Sequence, residues 1–209
     1  MFDGILFDLD GTLWDAVPEV TESWNHTLAR EGVGRVLTVE ELRPCMGLLL
    51  SDIGARLLPG VSQQRREELI GLCCADENAY LARRGAALYP GEEKALSALS
   101  KKCPLFIVSN CQSGYIEAFY QGTGLEKYFT DFESAGNTGL TKAENIALVV
   151  KRHGLKKPVY VGDTALDFAS AQAAGVPFIH AAYGFGAVEN VPAIHAFSEL
   201  EALLDTLGA

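Results

Sequence analysis

Four short runs of hydrophobic residues recur along the chain, and each ends in polar or glycine residues. The runs are residues 5–7, 105–108, 159–161 and 176–179. A strand that is apolar at nearly every position is typical of a parallel sheet with both faces buried. We therefore expect these runs to be strands of one parallel sheet.

Amphipathic segments with recognisable helix ends lie between the runs. Thr141 and Glu144 fit a capping box at a helix start, and Gly154 is placed to end that helix. Residues 198–201 predict a second capping box, which would open the C-terminal helix. Strands that alternate with helices predict an α/β fold, here a doubly wound, Rossmann-like parallel sheet with right-handed crossovers. Ligands of such sheets bind beyond the carboxyl ends of the strands.

The interval from residue 15 to residue 88 breaks this alternation, because it shows helical spacing and no convincing strand. The periodic segments are residues 20–30, 40–46, 50–58 and 63–82. We expect an all-helical cap domain at residues 15–88, inserted into a core domain made of residues 1–14 and 89–209. The next core helix should start at Gly91, with Glu92 on its outer side.

Composition limits the classes of function. Hydrophobic residues make up 48% of the 209 residues, which suffices for a large core, and the net charge is −10. Lys and Arg form no cluster, so nucleic acid and anionic membranes are not expected as partners. The chain opens on a strand rather than a signal peptide, and its five cysteines favour free thiols in a reducing compartment. We expect a cytoplasmic protein, monomeric or homodimeric, without a membrane span.

Two aspartates follow the first hydrophobic run. Asp8 and Asp10 are two positions apart, so both side chains would lie on the same side at the carboxyl end of the strand. Two carboxylates that close repel each other unless a cation neutralises them or one holds a proton. The pair therefore indicates a metal site, a nucleophile beside a general acid, or both, and the alternative is a plain surface turn. Leu13 and Trp14 stand where a helix-loop-helix calcium site needs oxygen ligands, which excludes that kind of site.

Three further polar features stand at other strand ends or helix starts. Ser109 and Asn110 follow the second run, Lys142 begins a capped helix, and Asp163 with Asp167 follows the third run. This order and spacing resemble the haloacid dehalogenase-like hydrolase superfamily, specifically its phosphatase branch with a helical cap, which includes phosphoglycolate phosphatase-like members. The resemblance extends from Ile5 to the C-terminal helix.

The resemblance implies a role for each of these residues in phosphoryl transfer. Asp8 is the expected nucleophile, which forms an aspartyl-phosphate, and Asp10 is the expected general acid and base. Lys142 is expected to bind both the phosphate and Asp8. Ser109 and Asn110 should donate hydrogen bonds to phosphoryl oxygens. Thr12 belongs to the expected substrate-binding set and could also hydrogen-bond back into its turn.

The resemblance also implies a metal ion. Asp8, the main-chain carbonyl of Asp10 and Asp163 are the expected ligands, and Mg²⁺ is the natural choice because it takes few carboxylates together with waters and phosphate oxygen. Asp167, one helical turn after Asp163, is expected to hold metal-bound water.

The predicted function is a Mg²⁺-dependent phosphatase for a small phosphorylated metabolite, such as phosphoglycolate or a sugar phosphate. Retention of Asp10 favours phosphomonoester hydrolysis over dehalogenation, since a halide leaving group needs no proton. A sugar phosphomutase of the same superfamily and a non-catalytic phospho-accepting module are the alternatives.

The cap is expected to decide which substrate is accepted. Residues 46–48 resemble a loop that dips towards the active site in phosphoglycolate phosphatase-like members. Arg43 and Arg56 are candidates for binding a second anion, although solvated surface positions explain them as well. Tyr115 could reach the site or simply pack on the sheet.

Overall fold

A parallel sheet of six strands forms the centre of the molecule. The computed structural model describes residues 2–208. The strands are β1 Gly4–Phe7, β2 Trp14–Asp15, β3 Ala87–Leu88, β4 Leu105–Ser109, β5 Asp131–Ser134, β6 Pro158–Gly162, β7 Phe178–Ala181 and β8 Ala193–Ile194. The order of strands in the sheet is β5-β4-β1-β6-β7-β8. Since β1 lies between β4 and β6, the chain order reverses beside it, and this is where ligands bind in doubly wound sheets. The predicted α/β fold is confirmed.

Helices cover both faces of this sheet, and four of them lie between β2 and β3. The α-helices are α1 Val17–Arg30, α2 Val39–Leu42, α3 Leu50–Leu57, α4 Gln63–Arg84, α5 Glu92–Leu99, α6 Tyr115–Thr123, α7 Ala135–Thr138, α8 Lys142–His153, α9 Ala165–Ala173 and α10 Leu200–Leu207. Helices α1 to α4 form the inserted helical cap. Across residues 2–208, no helix is long and apolar enough to cross a membrane.

The central strand shows why the hydrophobic runs are continuous. Ile5 and Phe7 belong to a large hydrophobic cluster that extends into the cap, whereas Leu6 belongs to a second cluster on the opposite face. All three side chains are buried, because helices cover the sheet on both sides. The strand therefore has no solvent-facing position to fill with a polar residue.

Two short strands join the cap to the core, where the sequence predicts none. Trp14 pairs with Leu88 and Asp15 with Ala87 in an antiparallel ribbon. Two residues are too few to show an alternating pattern, so hydrophobic spacing gives no sign of them. The boundaries of the two domains, at residues 14/15 and 88/89, stay a prediction.

The strands β5 and β8 were also missed. Asp131 and Glu133 give β5 a polar sequence, and both accept hydrogen bonds from Arg152 of α8. Such ion pairs are compatible with β5 because it lies at the edge of the sheet. The strand β8, at the other edge, has only two residues.

Two details of the helix starts were wrong. Glu92 is buried rather than on the outer side of α5, and its carboxylate accepts a hydrogen bond from the Tyr89 amide at 3.2 Å. The expected capping box at residues 198–201 does not form. Instead Phe197–Glu199 is a 3-10 turn, and the Glu199 side chain accepts a hydrogen bond from the His195 amide.

All five cysteines are free, as predicted. Cys45, Cys73 and Cys74 are buried, and Cys103 and Cys111 are half-buried. Burial raises the pKa of the Cys73 thiol to about 12, which disfavours the reactive thiolate form.

Candidate active site

Asp8 lies directly beyond the carboxyl end of β1 and is almost completely buried. Its amide donates a hydrogen bond to the Val161 carbonyl at 2.9 Å, which extends the pairing of β1 with β6 by one residue. Lys142, the first residue of α8, places its Nζ 2.9 Å from Asp8 Oδ1. The predicted capping box of Thr141 and Glu144 forms and fixes this helix start. Asp8 and Lys142 are therefore brought together as predicted.

Lys142 also forms an ion pair with Asp167, whose Oδ1 lies 2.5 Å from Nζ. The other carboxylate oxygen of Asp167 accepts hydrogen bonds from the amide and hydroxyl of Thr164, at 2.9 and 2.6 Å. Both oxygens of Asp167 are thus engaged within the protein. The residue holds Lys142 in position beside Asp8.

Asp10 receives two hydrogen bonds on a single oxygen. Trp14 Nε1 and the Tyr115 hydroxyl each donate to Oδ1 at 2.9 Å. Among residues 2–208 no hydrogen-bond donor reaches Oδ2, and Asp10 lines the cavity described below. Burial is the main cause that raises the pKa of Asp10 well above its ordinary value, and the charges of Asp8 and Glu77 add to it. Burial therefore favours the protonated form of Asp10, compared with an aspartate exposed to solvent.

Asp163 follows β6 and is fully buried. Its Oδ2 accepts a hydrogen bond from the Phe185 amide at 2.7 Å, and the Thr12 hydroxyl lies 3.4 Å from Oδ1. Thr12 is itself fully buried, so its hydroxyl faces Asp163 rather than the cavity. Gly11 permits this packing, because a Cβ there would lie 2.1 Å from Asp163 Oδ2 and its φ is +79°.

Three carboxylates meet where the sequence predicts a metal. Oxygens of Asp8, Asp163 and Asp167 all lie within 4.8 Å of one another, and all three residues are buried. Burial and then mutual repulsion raise the pKa of Asp8 to about 6 and that of Asp163 to about 8. Asp8 Oδ1 has its ion pair with Lys142 but no donor in hydrogen-bonding geometry among the described residues. This donor set fits a hard divalent cation, which would offset the repulsion.

Ser109 and Asn110 stand at the end of β4, beside β1, and both line the cavity. The Asn110 side chain donates a hydrogen bond to the Gly47 carbonyl at 2.9 Å. Gly47 belongs to the segment of residues 46–48 that the sequence predicts to approach the site, and all three residues line the cavity. The Asn110 side chain therefore connects the cap to the core.

A small cavity of about 40 Å³ separates the cap from the core above Asp8 and Asp10. This volume holds only a few water molecules. The core contributes Asp8, Asp10, Ser109, Asn110, Cys111, Gln112 and Tyr115. The cap contributes Val20, Trp24, Leu42, Met46, Gly47, Leu48, Leu50, Ile53 and Glu77.

Glu77 of α4 is the residue of the site that sequence reasoning missed. It is 4% exposed, and its Oε1 accepts a hydrogen bond from Gln112 Nε2 at 2.9 Å. Trp24 Nε1 donates to Oε2. Burial raises the pKa of Glu77 to about 7. The sequence did contain a signal that Glu77 is buried, because Glu77 falls at helical spacing among the apolar residues on the buried face of α4. These residues are Ile70, Cys73, Cys74 and Leu81.

The structure gives the positions of three other candidate residues. Tyr115 reaches the site through Asp10. Arg43 forms an ion pair with Asp15 at 2.9 Å, and Arg56 approaches the carbonyl of Pro44 at 3.5 Å. Neither arginine lines the cavity.

Comparisons of the sequence with a family model and with curated proteins point to the same family. Residues 5–181 match the family model described as haloacid dehalogenase-like hydrolase. The phosphoglycolate phosphatase of Rhodospirillum rubrum is 28% identical over 98% of this chain and 90% of its own length, and that of Rhodobacter capsulatus is 28% identical over 98% of both chains.

Solved structures share the fold at lower identity. A haloacid dehalogenase-like family hydrolase from Streptococcus pneumoniae superposes with a TM-score of 0.83 at 22% identity, over 96% of this chain and 97% of the other. CbbY of Rhodobacter sphaeroides, in complex with xylulose 1,5-bisphosphate, superposes with a TM-score of 0.81 at 20% identity, over 96% of each chain. The match of the family model to most of the sequence, on the fold that the sequence predicts, shows that this chain belongs to the haloacid dehalogenase-like hydrolase family.

Proposed function

We propose that this protein is a Mg²⁺-dependent phosphatase that hydrolyses a small phosphomonoester through an aspartyl-phosphate on Asp8. The observation that supports this most is the position of Asp8, which is buried at the end of β1 with Lys142 Nζ 2.9 Å away. Burial removes the water that would otherwise solvate the carboxylate, and the lysine keeps it ionised for attack. The curated relatives are named phosphoglycolate phosphatases, which makes phosphoglycolate the first substrate to examine, and sugar phosphates are the second class to test.

Asp8 attacks phosphorus in line with the leaving oxygen, and Asp10 gives its proton to that oxygen as the ester bond breaks. The raised pKa of Asp10 favours the protonated form that this step requires. In the second step, Asp10 takes a proton from the water that attacks the phosphoryl group on Asp8. The hydrogen bonds from Trp14 and Tyr115 hold Oδ1, which leaves Oδ2 for these transfers.

Ser109 and the main-chain amide of Asn110 are the proposed donors to the phosphoryl oxygens, with Lys142 as the nearby positive charge. All three lie at the carboxyl edge of the sheet beside Asp8. Mg²⁺ would be held by Asp8, Asp163 and the main-chain carbonyl of Asp10, and when bound it supplies charge neutralisation for the transferred phosphoryl group. Asp167 supports this set by holding Lys142.

The cap, proposed as residues 15–88, closes over the bound ester and excludes bulk water. Its contact with the core through Gly47 and Asn110 forms part of the closed state. The phosphomutase alternative requires cap groups that hold a second phosphate. None of the described residues that line the cavity is Lys or Arg, so hydrolysis is favoured.

The proposal is tested by phosphate release from a panel of phosphorylated metabolites, measured with Mg²⁺ and with a chelator. We expect Mg²⁺-dependent release by the wild type and none by Asp8→Asn. Absence of release from every ester would overturn the proposal. Conversion of a hexose 1-phosphate to the 6-phosphate without free phosphate would support the phosphomutase, and stable phosphorylation without turnover would support the phospho-accepting module.

A further inference from the structure

The cap forms a wall of the cavity that is apolar, with a single charged residue. The apolar side chains come from α1, α2, α3 and the connections between cap helices: Val20, Trp24, Leu42, Met46, Leu48, Leu50 and Ile53. Glu77 is the charged residue of this wall. A substrate bound at Asp8 therefore presents its alcohol part to hydrophobic side chains and one carboxylate.

Two cations of this region, Lys142 and Arg43, are already paired with carboxylates. Lys142 contacts both Asp8 and Asp167. Arg43 pairs with Asp15, and its guanidinium lies 5.0 Å from the centre of the Phe185 ring, outside the cavity. Among the described residues that line the cavity there is no Lys, Arg or His to bind a second anionic group of a substrate.

Glu77 is fixed from two sides. Trp24, on the neighbouring cap helix α1, donates to Oε2, and Gln112, in the core segment after β4, donates to Oε1. Gln112 also donates to the Asn78 side chain at 3.1 Å, so it is itself held against α4. Each carboxylate oxygen of Glu77 accepts one of these bonds and keeps a lone pair for another donor. The Glu77 carboxylate is therefore a hydrogen-bond acceptor that is held in place before any substrate binds.

We propose that Glu77 makes this site select phosphomonoesters whose alcohol part carries a hydrogen-bond donor, a hydroxyl or an ammonium group, and no negative charge. This inference rests on the proposed phosphatase function and assigns its substrate class. A substrate carboxylate brought into the cavity would meet Glu77 with no cation to offset the repulsion, and like charges in a desolvated site are costly. A hydroxyl or ammonium group would donate to Glu77 and satisfy its free lone pair.

Three esters of similar size test the substrate class: 2-phosphoglycolate, 2-hydroxyethyl phosphate and 2-aminoethyl phosphate. They share the phosphate and a two-carbon chain and differ in the charge of the far group. At a pH well above the pKa of Glu77, which burial raises to about 7, we expect the wild type to hydrolyse the hydroxyl and ammonium esters with kcat/KM at least about tenfold above that for phosphoglycolate. A preference for phosphoglycolate would overturn the inference and leave the phosphatase function standing. No hydrolysis of any ester would count against the phosphatase function itself.

The substitution Glu77→Gln tests whether this residue is responsible, because it keeps the shape and removes the charge. We expect kcat/KM for phosphoglycolate to rise relative to 2-aminoethyl phosphate by about tenfold. Glu68→Gln, an exposed position on the same helix, should leave the ratio unchanged. A purely structural role of Glu77 predicts an equal loss for all three esters, and that result would overturn the inference. The wild-type comparison of the three esters decides the substrate class even if Glu77→Gln does not fold.

Discussion

The Tyr115 hydroxyl donates a hydrogen bond to Asp10 Oδ1 over 2.9 Å, across 105 positions of the sequence. Trp14 Nε1 donates to the same oxygen at the same distance. The two donors hold Oδ1, and among the described residues no donor reaches Oδ2. In the proposed mechanism, proton transfer by Asp10 therefore depends on Trp14 and Tyr115, which are not among the proposed phosphate ligands.

Tyr115→Phe removes one of these donors and keeps the ring. We expect kcat to fall about fivefold to tenfold, corresponding to the loss of one hydrogen bond of about 1 to 1.4 kcal/mol, with little change in KM. Steady-state kinetics measure kcat and KM, with the ester that the wild type hydrolyses fastest as substrate. Tyr128→Phe, which removes a surface hydroxyl bonded to Glu93, is the matched control. Equal kcat in Tyr115→Phe and in the control would contradict the positioning role of Tyr115.

Lys142→Met leaves the buried carboxylates of Asp8 and Asp167 without their shared partner. We expect the free energy of unfolding without Mg²⁺ to fall by about 3 to 5 kcal/mol, as for other buried ion pairs that lose one member. Urea denaturation measures this free energy of unfolding. The control is Lys151→Met, on the exposed side of the same helix. A loss no larger than that of the control would mean that Lys142 is not needed to balance the two acids.

Mg²⁺ should stabilise the folded protein, because Asp8 and Asp163 are close together only in the folded chain. At a concentration 100 times the dissociation constant, the stabilisation is about 2.7 kcal/mol, which is seen as a rise in Tm. Asp163→Asn should abolish the Mg²⁺-dependent part of this rise. The exposed Asp205→Asn should retain it. The same rise in Asp163→Asn and in the wild type would place the ion elsewhere.

Glu92 should make stability depend on pH. Burial raises its pKa from the ordinary 4.5 to about 9 in the folded protein. Between these values the folded form keeps a proton that the unfolded chain has lost. The contribution of Glu92 to the free energy of unfolding is therefore complete below pH 4.5 and is lost as the pH rises towards 9. Between these values the free energy of unfolding falls by at most about 1.4 kcal/mol per pH unit.

The comparison of wild type with Glu92→Gln isolates this effect. The wild type should lose more stability than Glu92→Gln between pH 5 and 9, measured by urea denaturation at several pH values. Glu93→Gln, at the exposed neighbouring position, should follow the wild type. Parallel curves for Glu92→Gln and the wild type would show that Glu92 ionises freely in the folded protein.

The fold and the central residues of the site could be predicted from the sequence because their signals are local. A continuous apolar run such as residues 105–108 marks a doubly buried strand, and polar residues at strand ends meet at one edge of a parallel sheet. For this reason Asp8, Lys142 and Asp163 could be placed together without knowledge of the structure.

Features that depend on contacts distant in sequence could not be predicted in the same way. Glu77 accepts hydrogen bonds from donors 53 and 35 positions away, so its partners and its place in the cavity do not follow from the local sequence. The Glu92 side chain folds back over the start of its helix, whereas the charge pattern alone predicts that it points outward. The strand β5 carries acidic residues because Arg152 of a helix packs beside it.

Covalent labelling of Asp8 tests the central claim most directly. Wild-type protein is mixed with substrate and Mg²⁺, quenched in acid within the first turnover, digested, and analysed by mass spectrometry. The proposed mechanism predicts a phosphoryl group on Asp8, and neither label nor turnover in Asp8→Asn. Phosphate release without any label on Asp8, or turnover retained in Asp8→Asn, would contradict it.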